Sequence, residues 1–351
     1  MNARDRVRIA LTCGKPDRIP VSLGFFPQTF PETEPDDADA YFGLDVRFAE
    51  FDPPRMQMEF QQYLDSLPRD LHLGSRSQLA TYFEWGYRPE HGDERAAASG
   101  RSVSEWVDAA LPDLADPDRY AGLSERIARW HEKGLAVAGA PPHLGGELFE
   151  AAWRIRGFTT FLKDLYRRRA LADYLLDQLQ LMTIHSVRIL ARAGADILLL
   201  DDDVAMPDRM ILSPAAWREH FKGRLREVIR LAREISPDIL VFYHCDGNFT
   251  EIVADLADIG VNVIHPVQPD CMDAAAVKRD FGDRLAMWGT VGTAMQWDFG
   301  TPESIRAEVK HRVDTLGPEG LLLSPAYDLD FTPFTNVVAF VEAADAFGKC
   351  R

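Results

Sequence analysis

Short, continuous apolar runs separated by amphipathic segments constrain the fold of this chain more than any other feature of its sequence. Five such runs lie in its second half, and each is followed by a helix-like segment. The runs cover residues 195–200, 238–244, 261–267, 284–291 and 320–325. Runs that are apolar throughout, rather than alternating, are typical of strands buried on both faces, as in a parallel sheet. The first helix-like segment begins at Ser213 and Pro214, and the other four cover residues 248–259, 273–280, 302–316 and 335–347.

The first half of the chain supplies three further candidate strands. They are residues 18–25, residues 134–140 and a weaker candidate at 78–85. Eight strand–helix units in a chain of this length predict an α/β fold of the (β/α)8 TIM-barrel type, as a single domain spanning residues 1–351. The alternative is an open doubly wound sheet, but no GxGxxG follows a predicted strand, so the dinucleotide-binding version of that fold lacks its motif.

Residues 28–75 do not have the pattern of a strand–helix unit. The segment is rich in Pro, Asp and aromatic residues. We therefore predict an N-terminal insertion or lid, packed on the mouth of the barrel. A disordered linker is the alternative, and the aromatic content argues against it.

Composition excludes several classes of function. Asp and Glu number 55 against 39 Lys and Arg, giving a net charge of -16, which argues against nucleic acid as a partner. The chain has no apolar run of about 18 residues and no apolar leader near its start, which predicts a cytoplasmic protein without a membrane segment. The four cysteines show no CxxC spacing and are expected to be reduced thiols.

Polar, titratable residues follow most of the predicted strands. In a parallel barrel the active site forms where the strands end, so we expect these side chains to gather on one rim. They include Glu147, Glu150, Asp201, Asp202, Asp203, His244, Asp246, Asn248, His265, Gln268, Cys271, Tyr327 and Asp328. Of these, Gln268, Glu150, Asp328 and Asn248 are candidate substrate-binding residues. The aspartates of residues 201–203 have helix capping as their structural alternative.

His244 and Asp246 form an H-x-D pair at a strand end. Alternate residues of a strand face the same side, so both could reach one ion, and zinc takes about four such ligands. The residues that could complete this site are His265, Cys271, Asp202 and Tyr327. The alternative is a hydrogen-bonded His–Asp couple that performs acid–base chemistry without a metal.

Seven segments together resemble the uroporphyrinogen decarboxylase superfamily. In chain order they are RVRIALTCGKPDRIPV, GADILLLDDD, HCDGN, NVIHPVQPDCMD, GDRLAMWGTVG, FGTPESIRAEV and LLLSPAYDLDFTPFTNV. The resemblance runs from about residue 4 to residue 347. It implies a (β/α)8 barrel, a homodimer, and one of two chemistries. One is decarboxylation of uroporphyrinogen without a cofactor, and the other is methyl transfer linked to a corrinoid protein.

The decarboxylases of this superfamily carry an arginine-rich segment after the first strand, which binds substrate carboxylates. The corresponding segment here, SLGFFPQTFPE at 22–32, contains no arginine. A substrate with many carboxylates would therefore meet an acidic protein without a visible clamp. This places the chain closer to the corrinoid-dependent methyltransferase and O-demethylase branch.

Methyltransferases of that branch bind zinc through an H-x-C motif and a later S-P-x-C motif. Asp246 and Tyr327 stand at the two cysteine positions here. The resemblance therefore implies an oxygen-rich site, with His244, Asp246 and Asp202, suited to the oxygen or nitrogen of a methylated compound or of a folate. We expect His244, Asp246, Asp202 and Tyr327 to be catalytic, and His244, Asp246 and Cys271 to be the metal ligands.

The expected function is methyl transfer between a small O- or N-methylated compound and a corrinoid protein or a folate. Two alternatives remain open. One is a decarboxylase of uroporphyrinogen or another carboxylated substrate, and the other is a non-catalytic subunit that docks a corrinoid-binding partner.

Overall fold

A computed structural model of the protein describes residues 1–52, 117–143 and 145–350. Its sheet contains seven parallel strands in chain order, so each strand pairs with the next along the sequence. The strands are β1 (Val46–Ala49), β2 (Ala136–Gly139), β3 (Ile197–Asp201), β4 (Leu240–His244), β5 (Val263–His265), β6 (Ala286–Val291) and β7 (Leu321–Pro325).

Helices separate the strands and pack around them. They are α1 (Ala3–Leu11), α2 (Ala38–Tyr41), α3 (Leu123–Glu132), α4 (Phe149–Arg156), α5 (Phe158–Arg167), α6 (Arg169–Ala193), α7 (Pro214–Trp217), α8 (Gly223–Ile235), α9 (Val253–Ile259), α10 (Ala274–Phe281), α11 (Ala294–Phe299), α12 (Pro302–Leu316) and α13 (Phe334–Phe347). A π-helical turn at Arg218–Lys222 joins α7 to α8. None of the helices in the described part of the chain combines the length and apolar character needed to cross a bilayer.

The segment around Val21 occupies the eighth position of the barrel, between β7 and β1. On one side, the N–H of Ser22 donates to the carbonyl of Leu323 at 3.0 Å, and the N–H of Leu323 donates to the carbonyl of Pro20 at 3.0 Å. On the other side, the N–H of Val21 donates to the carboxylate of Asp45 at 3.1 Å. The predicted TIM-type α/β fold is confirmed, with this short extended segment in place of a full strand.

The predicted strands of the second half correspond to β3–β7, and residues 134–140 contain β2. The candidate at 78–85 lies outside the described residues. Strand β1 was not predicted, because its four residues lie within the segment expected to be a lid. The prediction that residues 28–75 contain no barrel strand is therefore wrong for Val46–Ala49.

Alternation along the strands divides the core into two parts. Every second residue points into the barrel, and the residues between them pack against the helices. The interior strand residues are Val46, Phe48, Ala136, Ala138, Ile197, Leu199, Leu240, Phe242, Val263, Ala286, Trp288 and Leu322. The indole N–H of Trp288 donates to the hydroxyl of Ser22 at 2.8 Å, which ties the segment at the eighth position to the interior.

Candidate active site

The alternation that fills the barrel with apolar side chains also places three polar residues in one row at its mouth. Ile197 and Leu199 point inward on β3, so Asp201 does as well. By the same alternation, His244 points inward on β4, two residues after Phe242, and His265 points inward on β5, two residues after Val263. The strand register pairs Asp201 with His244 and His244 with His265, so the three side chains lie next to one another.

His244 lies at the centre of this row and uses its two ring nitrogens differently. Nδ1 is 2.7 Å from Nδ1 of His265. Nε2 faces carboxylates, with the nearest oxygens of Asp201, Asp203 and Asp246 at 3.8, 3.7 and 3.8 Å. The ring of Phe25 stacks on the imidazole at a centroid distance of 4.5 Å. Burial lowers the pKa of His244, which favours the neutral imidazole.

Asp201, Asp203 and His244 form a compact group of metal-ligating side chains. One ligand atom from each lies within 4.8 Å of the others. Burial, and then the charge of Asp203, raises the pKa of Asp201 well above its usual range. The buried Oδ1 of Asp201 has no hydrogen-bond partner. Carboxylate oxygens with an imidazole nitrogen are a donor set that suits divalent cations such as Mn²⁺, Fe²⁺ and Zn²⁺.

Asp202 points to the other side of the sheet, away from His244. Its carboxylate accepts hydrogen bonds from the backbone N–H of Phe149 at 2.7 Å and from that of Glu150 at 2.8 Å. Asp202 thus satisfies the first amides of α4, a helix-capping role across the chain. The prediction that Asp202 acts at the reacting atoms does not agree with this placement.

The structure does bring Asp246 to His244, and Gln268 holds it there. The amide nitrogen of Gln268 donates to Asp246 at 2.9 Å, and its amide oxygen accepts the N–H of Gly247 at 2.8 Å. Gln268 is only 4% exposed and both ends of its amide are used within the protein. It was expected to bind substrate, but its contacts are those of a residue that positions Asp246.

Cys271 and Tyr327 lie on the same rim but outside the compact group. The thiol of Cys271 contacts the amide oxygen of Gln268 at 3.5 Å, and the hydroxyl of Tyr327 donates to Asp270. The predicted ligand set of His244, Asp246 and Cys271 is therefore not assembled among the described residues. The strand ends bring Asp201 and Asp203 to His244 instead.

The other predicted substrate-binding residues have separate positions. Asn248 accepts hydrogen bonds from the N–H and hydroxyl of Thr250, at the start of the turn that leads into α9. Asp328 lies near enough that its charge, after burial and Asp203, raises the pKa of Asp246. Glu150 is buried, and its charge is among those that raise the pKa of Asp201.

Sequence reasoning missed Phe25, and it did not identify Asp201 and Asp203 as the aspartates that face His244. The spacing of Asp201 and Asp203 indicated that these two side chains lie on the same face, since alternate residues of a strand face the same side. Nothing in the sequence indicated that Phe25 would stack on His244.

The profile of a family described as "Uroporphyrinogen decarboxylase (URO-D)" matches residues 135–347. The methylcobamide:CoM methyltransferase MtaA of Methanosarcina barkeri is 28% identical over 246 residues, covering 68% of each chain. The chloroplastic uroporphyrinogen decarboxylase of Zea mays is 26% identical over 255 residues, covering 71% of this chain and 61% of its own.

Among solved structures, a methyltransferase from Methanosarcina mazei superposes with a TM-score of 0.62 at 20% identity, covering 99% of both chains. At this identity the likeness concerns the fold, and it agrees with the barrel described above. Because the profile matches more than half of its residues, this chain belongs to the uroporphyrinogen decarboxylase family.

Proposed function

We propose that this protein transfers a methyl group between a small O- or N-methylated compound and a corrinoid protein or a folate. The observation that carries the proposal is the Nε2 edge of His244, which faces carboxylates that follow or end neighbouring strands at the mouth of the barrel. The similarity to a methylcobamide methyltransferase supports the choice of reaction. The lack of arginine at residues 22–32 supports methyl transfer over decarboxylation of a polycarboxylate.

Methyl transfer requires that the charge left on the demethylated atom be balanced, and the residues around His244 can do this. A corrinoid supplies a cobalt centre that accepts or gives up the methyl group. The oxygen or nitrogen that loses a methyl cation gains one unit of negative charge, which a proton or a positive charge must balance. His244 and the carboxyl groups around it lie where that balancing would take place.

Two neighbours prepare His244 for this role. His265 fixes the orientation of the imidazole through the 2.7 Å contact between the Nδ1 atoms. Phe25 covers one face of the ring and keeps water from it. The edge that carries Nε2 is thereby the reactive one.

The test is a methyl-transfer assay with free cobalamin in place of the unidentified corrinoid protein. Cob(I)alamin is mixed with methyl ethers and methylamines, and methylcobalamin is mixed with tetrahydrofolate, while the cobalamin spectrum is followed. We expect turnover with one of these compounds, and we expect His244→Ala to abolish it. His185→Ala, which changes an exposed histidine, is the matched control and should retain turnover.

Decarboxylation is measured in parallel with uroporphyrinogen. Loss of carboxylates from uroporphyrinogen, together with no change in any cobalamin spectrum, would refute the proposed methyl transfer. Full methyl-transfer activity in His244→Ala would refute the role given to this residue.

A further inference from the structure

We propose that Asp201, Asp203 and His244 bind one divalent cation of the hard to borderline class, through Nε2 of His244 and one carboxylate oxygen from each aspartate. The role of this ion in catalysis rests on the proposed function. Its binding does not, and can be measured independently.

The thiolate zinc site implied by the family resemblance does not fit this chain. Asp246 stands at one cysteine position and accepts a hydrogen bond from Gln268. Tyr327 stands at the other and donates to Asp270. The thiol of Cys245 is buried on the outward side of β4, where it contacts the backbone of Val204 and Asp246.

The distances around Nε2 of His244 fit shared ligation better than hydrogen bonding. At 3.7 and 3.8 Å, the nearest oxygens of Asp203 and Asp201 are too far away to accept a hydrogen bond. Two bonds of about 2.1 Å at a tetrahedral angle place their ligand atoms roughly 3.4 Å apart. A contraction of a few tenths of an ångström would bring each of the two carboxylates to a ligand separation from Nε2, and the three ligand atoms lie within 4.8 Å of one another.

The side chain of His244 also supports a ligand at this point. It is only 10% exposed, and its Nε2 faces the carboxylates of Asp201, Asp203 and Asp246 without a hydrogen bond to any of them. Ligation through Nε2 requires the proton of the neutral ring to be on Nδ1. In that arrangement Nδ1 of His244 donates to Nδ1 of His265, and the proton of His265 lies on its Nε2, which is buried without a hydrogen-bond partner.

The aspartates are also arranged as ligands. Oδ1 of Asp203 accepts the N–H of Asp246 at 2.6 Å, which fixes the orientation of this carboxylate. Oδ1 of Asp201 is buried and has no hydrogen-bond partner. These two carboxylates are partly buried and close enough to repel each other, and a divalent cation would cancel this repulsion. Oxygen and imidazole donors favour Mn²⁺, Fe²⁺, Co²⁺ or Zn²⁺ over soft ions such as Cu⁺.

The test is a titration of chelator-treated protein with Mn²⁺, in which electron paramagnetic resonance measures the free ion. Zn²⁺ binding is measured by calorimetry in parallel. We expect one ion per chain. Asp203→Asn and His244→Gln should each weaken Mn²⁺ binding by about 100-fold or more, since each removes a ligand and not only an outer partner.

Two control variants show whether the ion binds at these three residues. Asp208→Asn removes an exposed carboxylate and should bind Mn²⁺ as the wild type does. Cys271→Ser removes the thiol of the ligand set predicted from sequence and should also leave affinity within about twofold. Circular dichroism of every variant establishes that it is folded.

The proposal is overturned if folded wild-type protein takes up no ion, or if Asp203→Asn binds as tightly as wild type. It is also overturned if Cys271→Ser abolishes binding, since the thiol would then be a ligand. Failure of the proposed function looks different: stoichiometric Mn²⁺ or Zn²⁺ binding without methyl transfer would support this site and refute the reaction.

Discussion

Replacing Asp202 by Asn separates a helix-capping role from a catalytic one. The buried carboxylate of Asp202 accepts the N–H groups of Phe149 and Glu150. Asn keeps one acceptor oxygen and places an NH₂ group against the other N–H. One buried N–H is left without an acceptor, which costs about 1–3 kcal/mol of the free energy of unfolding.

This cost translates into a measurable melting shift. Unfolding entropy of about 2.1 cal/mol/K per residue gives roughly 0.7 kcal/mol/K for a chain of this length, so Tm should fall by about 1–4 °C. Burial raises the pKa of Asp202 to about 7. Ionised Asp202 therefore lowers stability as the pH rises from about 4 to 7, so the measurement is made at pH 4, where the folded protein keeps this carboxyl protonated and only the lost hydrogen bond distinguishes it from Asn.

The neighbouring substitution Asp201→Asn is the matched comparison. It changes the same chemical group one position earlier in the chain, on the inward face of β3. We expect Asp201→Asn to lose Mn²⁺ affinity and methyl transfer without the Tm loss, and Asp202→Asn to show the reverse. If Asp202→Asn melted like the wild type but lost turnover, the assignment of the two faces of β3 would be wrong.

Three further predictions concern single side chains. Burial raises the pKa of Asp39 to about 7, so this carboxyl stays protonated to a higher pH in the folded protein than in the unfolded chain. Asp39 therefore lowers the free energy of unfolding progressively as the pH rises from about 4 to 7. Urea unfolding of Asp39→Asn should show a gain of up to about 4 kcal/mol at pH 8 and almost none at pH 4; an equal gain at both would contradict this origin. Phe25→Ala should expose His244 and raise the pKa of its imidazole towards the ordinary value, measured by NMR titration of metal-free protein; an unchanged pKa would show that Phe25 contributes nothing to the burial. Gly247 has a φ of +79°, and a Cβ there would lie 2.5 Å from the carbonyl oxygen of Met206. Gly247→Ala should therefore lower the free energy of unfolding, measured in urea, by about 2 kcal/mol or more. An unfolding midpoint equal to that of the wild type would exclude this clash.

The fold could be predicted because buried parallel strands are apolar on both faces, and that pattern is visible without knowledge of their partners. The same property concealed part of the site. In ILLLDDD the leucines occupy both faces of β3, so the sequence does not tell which aspartate points inward. Only the register with β4 decides between Asp201 and Asp202.

Contacts between strands were hidden for a related reason. The proximity of His244 to His265 depends on how β4 and β5 are aligned, and no local pattern in the chain encodes that alignment. The position of β1 was missed because four residues carry too little periodicity to stand out from a segment rich in Pro and Asp.

The segment around Val21 closes the barrel against β7, and its continuation carries Phe25 to His244. During synthesis this segment leaves the ribosome about 300 residues before its partner Leu323. The aromatic cover of the site is therefore completed only after Leu323 has emerged. Nascent or C-terminally truncated chains should lack a finished reaction centre even where their central strands are already paired.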